Sequence, residues 1–230
     1  TLNRKEEVRE RIKVVREKVE EYAERSGRSP SEVRILGATK FVPVELIEVA
    51  VEEGINLFGE NTVQEAEKKI PIFQKREDVR WHMIGHLQRN KVKKALKLFS
   101  VIETLDRDSL LKELEKRAEE PIECLIEVNT SFEPTKYGLE PDEVVPFFER
   151  VVTFDKIKPM GLMTLGPYPP EESKSRKAFS LLRELRDTLE EKFSVRLPIL
   201  SMGMTEDYHW AILEGATEVR IGRGIFGERH

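Results

Sequence analysis

One cysteine in 230 residues leaves this chain without an internal disulfide, and Cys124 sits in the apolar run "ECLIEVN", where it reads as core. That usage fits a reducing compartment. No apolar stretch approaches the roughly 18 residues that span a bilayer, and the sequence is charged from Arg4 onward, so no membrane association is expected and the protein is read as cytosolic. A basic excess is missing too. The 39 Lys and Arg stand against 43 Asp and Glu, and a net charge of -4 gives no electrostatic case for nucleic acid. The basic stretch from Arg89 to Lys97 is interleaved with Val92, Ala95, Leu96 and Leu98 at helical spacing, the pattern of a solvated helix face. No Pro/Gly/Ser-rich linker divides the chain, so residues 1–230 are read as one domain. No His/Cys/Asp group has metal-ligand spacing, so no metal is expected; His82 reads as an ordinary strand residue and His209 as an ordinary helix residue.

What is present is a core and an alternation. Hydrophobic residues make up 39%, enough for a full interior, and the charged fraction of 36% exceeds the ~25% of ordinary domains, as in many heat-adapted proteins. A thermophilic source is expected. An opening amphipathic helix, with Asn3 and Glu6 spaced as a capping box and Val8, Ile12, Val15, Val19 and Tyr22 on one face, runs to Gly27. Eight strand-like runs follow: "VRILGAT", "INLFGE", "RWHMIG", "VIETL", "ECLIEVN", "IKPMGLMTL", "LPILSMG" and "TEVRIGR". Helical patterns separate them at 44–53, 62–74, 91–99, 107–118, 141–152, 171–192 and 205–213. Apolar strands joined by amphipathic helices predict parallel pairing, and eight units match an α/β (β/α)8 TIM barrel with an additional N-terminal helix. A doubly wound open sheet is the competing arrangement.

In such barrels the chemistry lies at the C-terminal ends of the strands, and the loops after strands seven and eight commonly hold a phosphate. Here those loops are "SMGMTEDY" and "GRGIFG". Ser201 offers a hydroxyl, Gly203 permits close backbone approach, and Thr205 is a natural cap for the next helix, although Glu206 and Asp207 would compete for its positive end. Gly222 to Gly227 fits G-x-G-x-x-G, but that fingerprint belongs to the first turn of a βαβ unit. A backbone cradle for one phosphate suits it better. Lys40 follows strand one on the same rim, so a lysine faces a phosphate pocket, a pattern that points to an imine with a phosphorylated aldehyde such as pyridoxal phosphate. Arg220 is then placed near the pyridine nitrogen. Taken singly, Lys40 reads equally as a solvated turn residue, Ser201 as a turn hydroxyl and Arg220 as a salt-bridged strand end.

The segments "ILGATKFVP", "FGENTVQEAEKK", "WHMIGHLQRNK", "VIETLD", "IKPMGLMTL", "LSMGMTEDY" and "VRIGRGIFGER" resemble, in order and spacing, the pyridoxal phosphate homeostasis proteins, relatives of the N-terminal barrel of alanine racemase. The resemblance spans nearly the whole chain. It implies a fold-type III barrel binding pyridoxal 5'-phosphate, with Lys40 as the Schiff-base lysine, Ser201, Gly203, Gly222 and Arg223 around the phosphate, and Arg220 facing the pyridine nitrogen. Asn61 and Met163 fall in motifs that border the cofactor, and Lys136 in "PTKYG" lies where the family often carries a second lysine linked to cofactor transfer. His86 stands where a proline is frequent, and Arg223 where a small polar residue is common.

The resemblance implies a carrier or regulator of pyridoxal phosphate, affecting amino acid and keto acid pools, with the cofactor and PLP-dependent apo-enzymes as partners and a monomeric state as the default. Racemisation needs a base on each face of the substrate α-carbon. Alanine racemase supplies the second from another domain, and the sequence ends a few residues past strand eight. A non-catalytic protein is the first expectation. The rival is a slow racemase or lyase using Lys40 with Tyr137, His86 or Tyr208.

Overall fold

A computed structural model describes residues 2–134 and 136–228 and shows a closed barrel of eight parallel strands in sequential order. The strands are β1 (Arg34–Ala38), β2 (Leu57–Glu60), β3 (Arg80–Met83), β4 (Val101–Leu105), β5 (Ile122–Glu127), β6 (Ile157–Met163), β7 (Ile199–Ser201) and β8 (Glu218–Ile221). Closure is direct: Arg34 to Gly37 of β1 pair with Glu218 to Ile221 of β8. This excludes the open sheet. Closure also leaves no sheet edge, and the surrounding helices bury the outer face, which is why most strands read as continuous apolar runs.

The helices are α1 (Leu2–Arg25), α2 (Val44–Glu52), α3 (Val63–Lys69), α4 (Val92–Leu98), α5 (Asp108–Arg117), α6 (Val144–Val151), α7 (Glu172–Phe193), α8 (Tyr208–Leu213) and α9 (Arg223–Phe226). α1 buries Val8, Ile12, Val15, Val19 and Ala23, the four larger side chains each contributing about 1.5–3 kcal/mol relative to exposure. That stripe packs on α2, α8 and α9, so the helix lies across the seam where β8 meets β1. Arg28 fastens the seam by donating to the carbonyl oxygens of Ala216 (2.9 Å) and Ile212 (2.8 Å).

Three local expectations change. α1 already includes Leu2, so Asn3 lies inside the helix and is not its cap. α8 starts at Tyr208, three residues later than its sequence pattern, because Asp207 is the cap residue and its Oδ1 accepts from the Met204 amide at 2.7 Å. The glycine loop after β8 contains a further turn of helix, α9, that the sequence pattern does not announce.

Candidate functional site

A cavity of 490 Å³ opens at the C-terminal ends of the strands, lined by Ala38, Lys40, Asn61, Ile84, Gly85, His86, Gln88, Glu127, Tyr137, Leu165, Met204 and Arg220. A smaller cavity of 260 Å³ adjoins it across Ala38, Leu165 and Met204, and brings in Lys136, Thr205, Glu206, Gly222 and Arg223. A groove of 480 Å³ lies outside, lined by Phe132, Lys174 and Lys177 among others, so size alone does not select the site. Convergence of strand ends does.

Lys40 stands in a four-residue turn closed by the Val42 amide donating to the Thr39 carbonyl at 2.9 Å. Its amine makes no hydrogen bond or ion pair among the described residues and lies 5.4 Å from the Phe41 ring centroid. Phe41, 64% exposed, is left-handed with φ 59°, a conformation that costs a bulky residue on the order of 1–3 kcal/mol. Lys136 is held differently. Its amine donates to the Gly166 carbonyl and sits 3.3 Å from Glu133 Oε1.

Below the cavity the barrel is polar. Arg220, 3% exposed, donates through Nη1 to Ser201 Oγ (2.6 Å) and through Nη2 to the Thr164 carbonyl (2.8 Å). Ser201 Oγ also lies 2.6 Å from Glu103 Oε1 and 2.9 Å from Glu218 Oε2. A hydroxyl has one proton, so it can donate to only one of these carboxyl groups, and the other must itself carry a proton to bond Ser201. Glu218 fits that role. Burial, reinforced by Glu103, pushes its pKa up to about 8. His82 Nδ1 closes the network 2.6 Å from Glu103 Oε2, and burial draws its pKa down to about 4. His82, Glu103 and Glu218 are near enough to surround a cation. Hydrogen bonds within the protein already join them.

The structure thus gathers Lys40, Asn61, Arg220, Gly222, Arg223 and Lys136 around the two cavities and leaves three expected residues elsewhere. The Ser201 hydroxyl points into the interior network and not toward the glycine loops. Gly203 lines neither cavity; it takes φ 103° and its carbonyl receives the Arg220 amide at 2.9 Å. Met163 packs inside the barrel against Val101 and Leu125. Arg223 turns its guanidinium outward to Glu206 at 3.2 Å.

Thr205 and Glu127 are the residues sequence reasoning missed as site members. Thr205 Oγ1 accepts from the Gly224 amide at 3.0 Å and so draws the two glycine loops together; a side chain at 224 would come within 2.8 Å of Ile221. Glu127 ends β5 on the cavity wall, where burial, reinforced by Asp106, pushes its pKa up to about 7. Of the proposed second bases, His86 and Tyr137 stack at 3.9 Å on that wall, whereas Tyr208 lines neither cavity and is 4% exposed, burial pushing its pKa up to about 12.

Residues 13–230 match the family described as alanine racemase, N-terminal domain. A pyridoxal phosphate homeostasis protein of Aquifex aeolicus is 44% identical over 223 residues, covering 96% of this chain and 97% of the relative. A solved structure of an unknown protein from Bifidobacterium adolescentis superposes with a TM-score of 0.92 at 32% identity over 97% of this chain and 96% of the other. PipY of Synechococcus elongatus, solved with PLP bound, gives 0.84 at 29% identity over 96% and 100%.

Proposed function

The chain belongs to the pyridoxal phosphate homeostasis protein family, built on the alanine racemase N-terminal barrel, and on that premise we propose that it binds pyridoxal 5'-phosphate above Arg220, with Lys40 as the covalent attachment site. The observation that carries this reading is the pairing of an amine without a hydrogen-bond partner with a buried guanidinium across one cavity that continues into a glycine-loop pocket. The residues fit the group. The larger cavity has the volume for a substituted pyridine ring, and the smaller presents Gly222, Thr205 and Lys136 to a phosphate, while its two carboxylates are engaged, Glu206 by Arg223 and Asp207 by the Met204 amide. Asn61 borders the ring side. Ser201 and Gly203 act beneath the site, by holding Arg220.

When bound, the cofactor supplies an aldehyde for an amine and, with its ring nitrogen protonated, an electron sink for charge at an attached α-carbon. Arg220 disfavours a proton on any ring nitrogen beside it, because a guanidinium stays charged at all relevant pH. The Ser201 and Thr164 bonds hold it there. This supports a cofactor carrier acting in homeostasis more than a dedicated catalyst. PLP-dependent apo-enzymes are the expected recipients, Lys136 is the candidate second lysine for transfer, and a monomer in the cytoplasm is the expected form. No helix among the described residues is long and apolar enough to cross a membrane, and the single cysteine is buried as a free thiol.

A slow racemase is the second reading, favoured by His86 and Tyr137 on the cavity wall. One experiment tests both. Borohydride reduction of the yellow holoprotein followed by peptide mapping should label Lys40, and racemisation of alanine should run far below the 1–1,000 per second typical of enzymes. Label at another lysine overturns the attachment site. Fast, Lys40-dependent racemisation replaces the carrier with the enzyme.

A further inference from the structure

The turn that presents Lys40 is clamped on both sides by one buried cation. Lys69, the last residue of α3 and 9% exposed, donates from Nζ to the Thr39 carbonyl (2.5 Å), to Glu60 Oε2 (2.8 Å) and to Glu65 Oε2 (3.1 Å). Glu65 Oε2 in turn accepts the Phe41 amide at 3.2 Å, and the Thr39 hydroxyl donates its one proton to Glu60 Oε2, with the Gly59 carbonyl oxygen 3.1 Å away. The residues before and after Lys40 are therefore tied to the same ammonium group, while Lys40 itself is left out of the network.

Two parts of this arrangement are unfavourable in themselves. Phe41 occupies the third position of the turn with positive φ, where glycine or asparagine is preferred. Glu60 buries Oε1 without a hydrogen-bond partner among the described residues. Strained backbone and an unsatisfied carboxyl oxygen persist together only where the surroundings over-determine them, and such places collect at functional sites. A lysine at the end of a seven-residue helix could have stayed in solvent at no cost. Here it is drawn into the fold beside the one turn whose geometry the cavity needs.

We propose that Lys69 is the positioning residue for Lys40: through Thr39 directly and Phe41 by way of Glu65, it locks the left-handed turn that aims the Lys40 amine into the cavity. The inference rests on the reading of Lys40 as the attachment site, and it makes Lys69 part of the machinery without touching the cofactor. It differs from a packing role in one respect. If the clamp exists to hold Phe41 left-handed, then glycine at 41, which takes that conformation without strain, should make the clamp less necessary.

The test uses wild type, Lys69→Met, Phe41→Gly and the double variant. In cofactor-free protein, Lys69→Met should speed amide exchange of residues 39–42 by about tenfold or more, while β5 to β7 keep their protection. On adding pyridoxal phosphate, the same variant should form the visible band about tenfold more slowly, and Phe41→Gly in the Lys69→Met background should recover most of that loss. Wild-type exchange and attachment rates in Lys69→Met, or a double variant no faster than Lys69→Met, overturn the proposal. Should Lys69→Met not fold, Glu65→Ala removes only the Phe41 tether and the outer partner of Lys69, and must shift exchange and attachment in the same direction, or the proposal fails. Absence of any adduct at Lys40 in the wild type sinks the attachment reading alone, because the exchange measurements still decide the clamp.

Discussion

Lys40 and Lys136 face adjoining cavities from the loops after β1 and β5, and the fold does opposite things with them. Around Lys40 the backbone is fixed by buried ion pairs and the amine is left without a partner. Around Lys136 the amine is fixed, by the Gly166 carbonyl and Glu133, on a loop bearing Phe132 and Tyr137, 63% and 58% exposed. A nucleophile needs a free lone pair on a rigid mount, whereas a cation that meets an anion in passing needs only charge. On the proposed reading, this contrast assigns attachment to Lys40 and an electrostatic part to Lys136.

The largest effect should come from Lys40→Ala. It should fold like the wild type, because the side chain is no part of the core, and lose the visible band entirely; a surviving band that maps to Lys136 would reverse the two roles. Ser201→Ala strikes the polar interior below both lysines. It leaves Arg220, Glu103 and Glu218 each short of a partner, for a loss of about 2–4 kcal/mol in urea unfolding. An unchanged midpoint would mean the serine does not organise that layer. Lys136→Met sharpens the contrast from the other side: affinity for the cofactor should fall by about three- to tenfold, read by titration, while the band at saturation keeps its intensity.

The smallest effect is a pH slope. Glu218 holds its proton to about pH 8 in the folded state, well above its ordinary 4.5, so the native protein binds more protons than the unfolded chain across that interval and stability falls as pH rises. His82 works the other way: neutral down to about pH 4, it loses stability for the fold as pH drops below 6.5. Glu127 contributes a fall only to about pH 7. Between pH 7 and 8, therefore, Glu218 still contributes a falling slope, at most about 1.4 kcal/mol per pH unit. Glu218→Gln cannot titrate yet still offers Ser201 an N–H donor, so chemical denaturation at pH 7 and pH 8 should show that slope removed. A slope that survives the substitution would assign the proton elsewhere.

The eightfold alternation and the place of Lys40 on the rim were legible because each depends on short-range pattern: apolar runs, helical spacing, and a lysine between strand and helix. The interior network was not. His82, Glu103, Ser201 and Glu218 come from four strands, and only closure of β8 on β1 and of β7 on β8 brings them within bonding distance. Their one trace in the sequence is a polar residue within or at the edge of a buried strand. As a strand-end hydroxyl Ser201 reads as a phosphate ligand; its bonds to Glu103, Glu218 and Arg220 turn it toward the barrel interior. Thr205 was mistaken for a helix cap because Asp207 takes that place two residues on.

The single hydrogen of Ser201 has a consequence in time. The proton it obliges Glu218 to keep lies on a carboxyl group that, like Glu103 and Ser201, is 0% exposed, and whose Oε1 is covered by the Arg34 guanidinium 3.1 Å away. Leaving or re-entering requires Arg34 to swing off Glu218 or the barrel wall to open locally, and such openings are far rarer than diffusion of a hydronium ion. A sudden change of pH should therefore titrate the surface at once and the barrel interior only later. The protein would carry a short record of the acidity it came from, visible as hysteresis between upward and downward pH jumps.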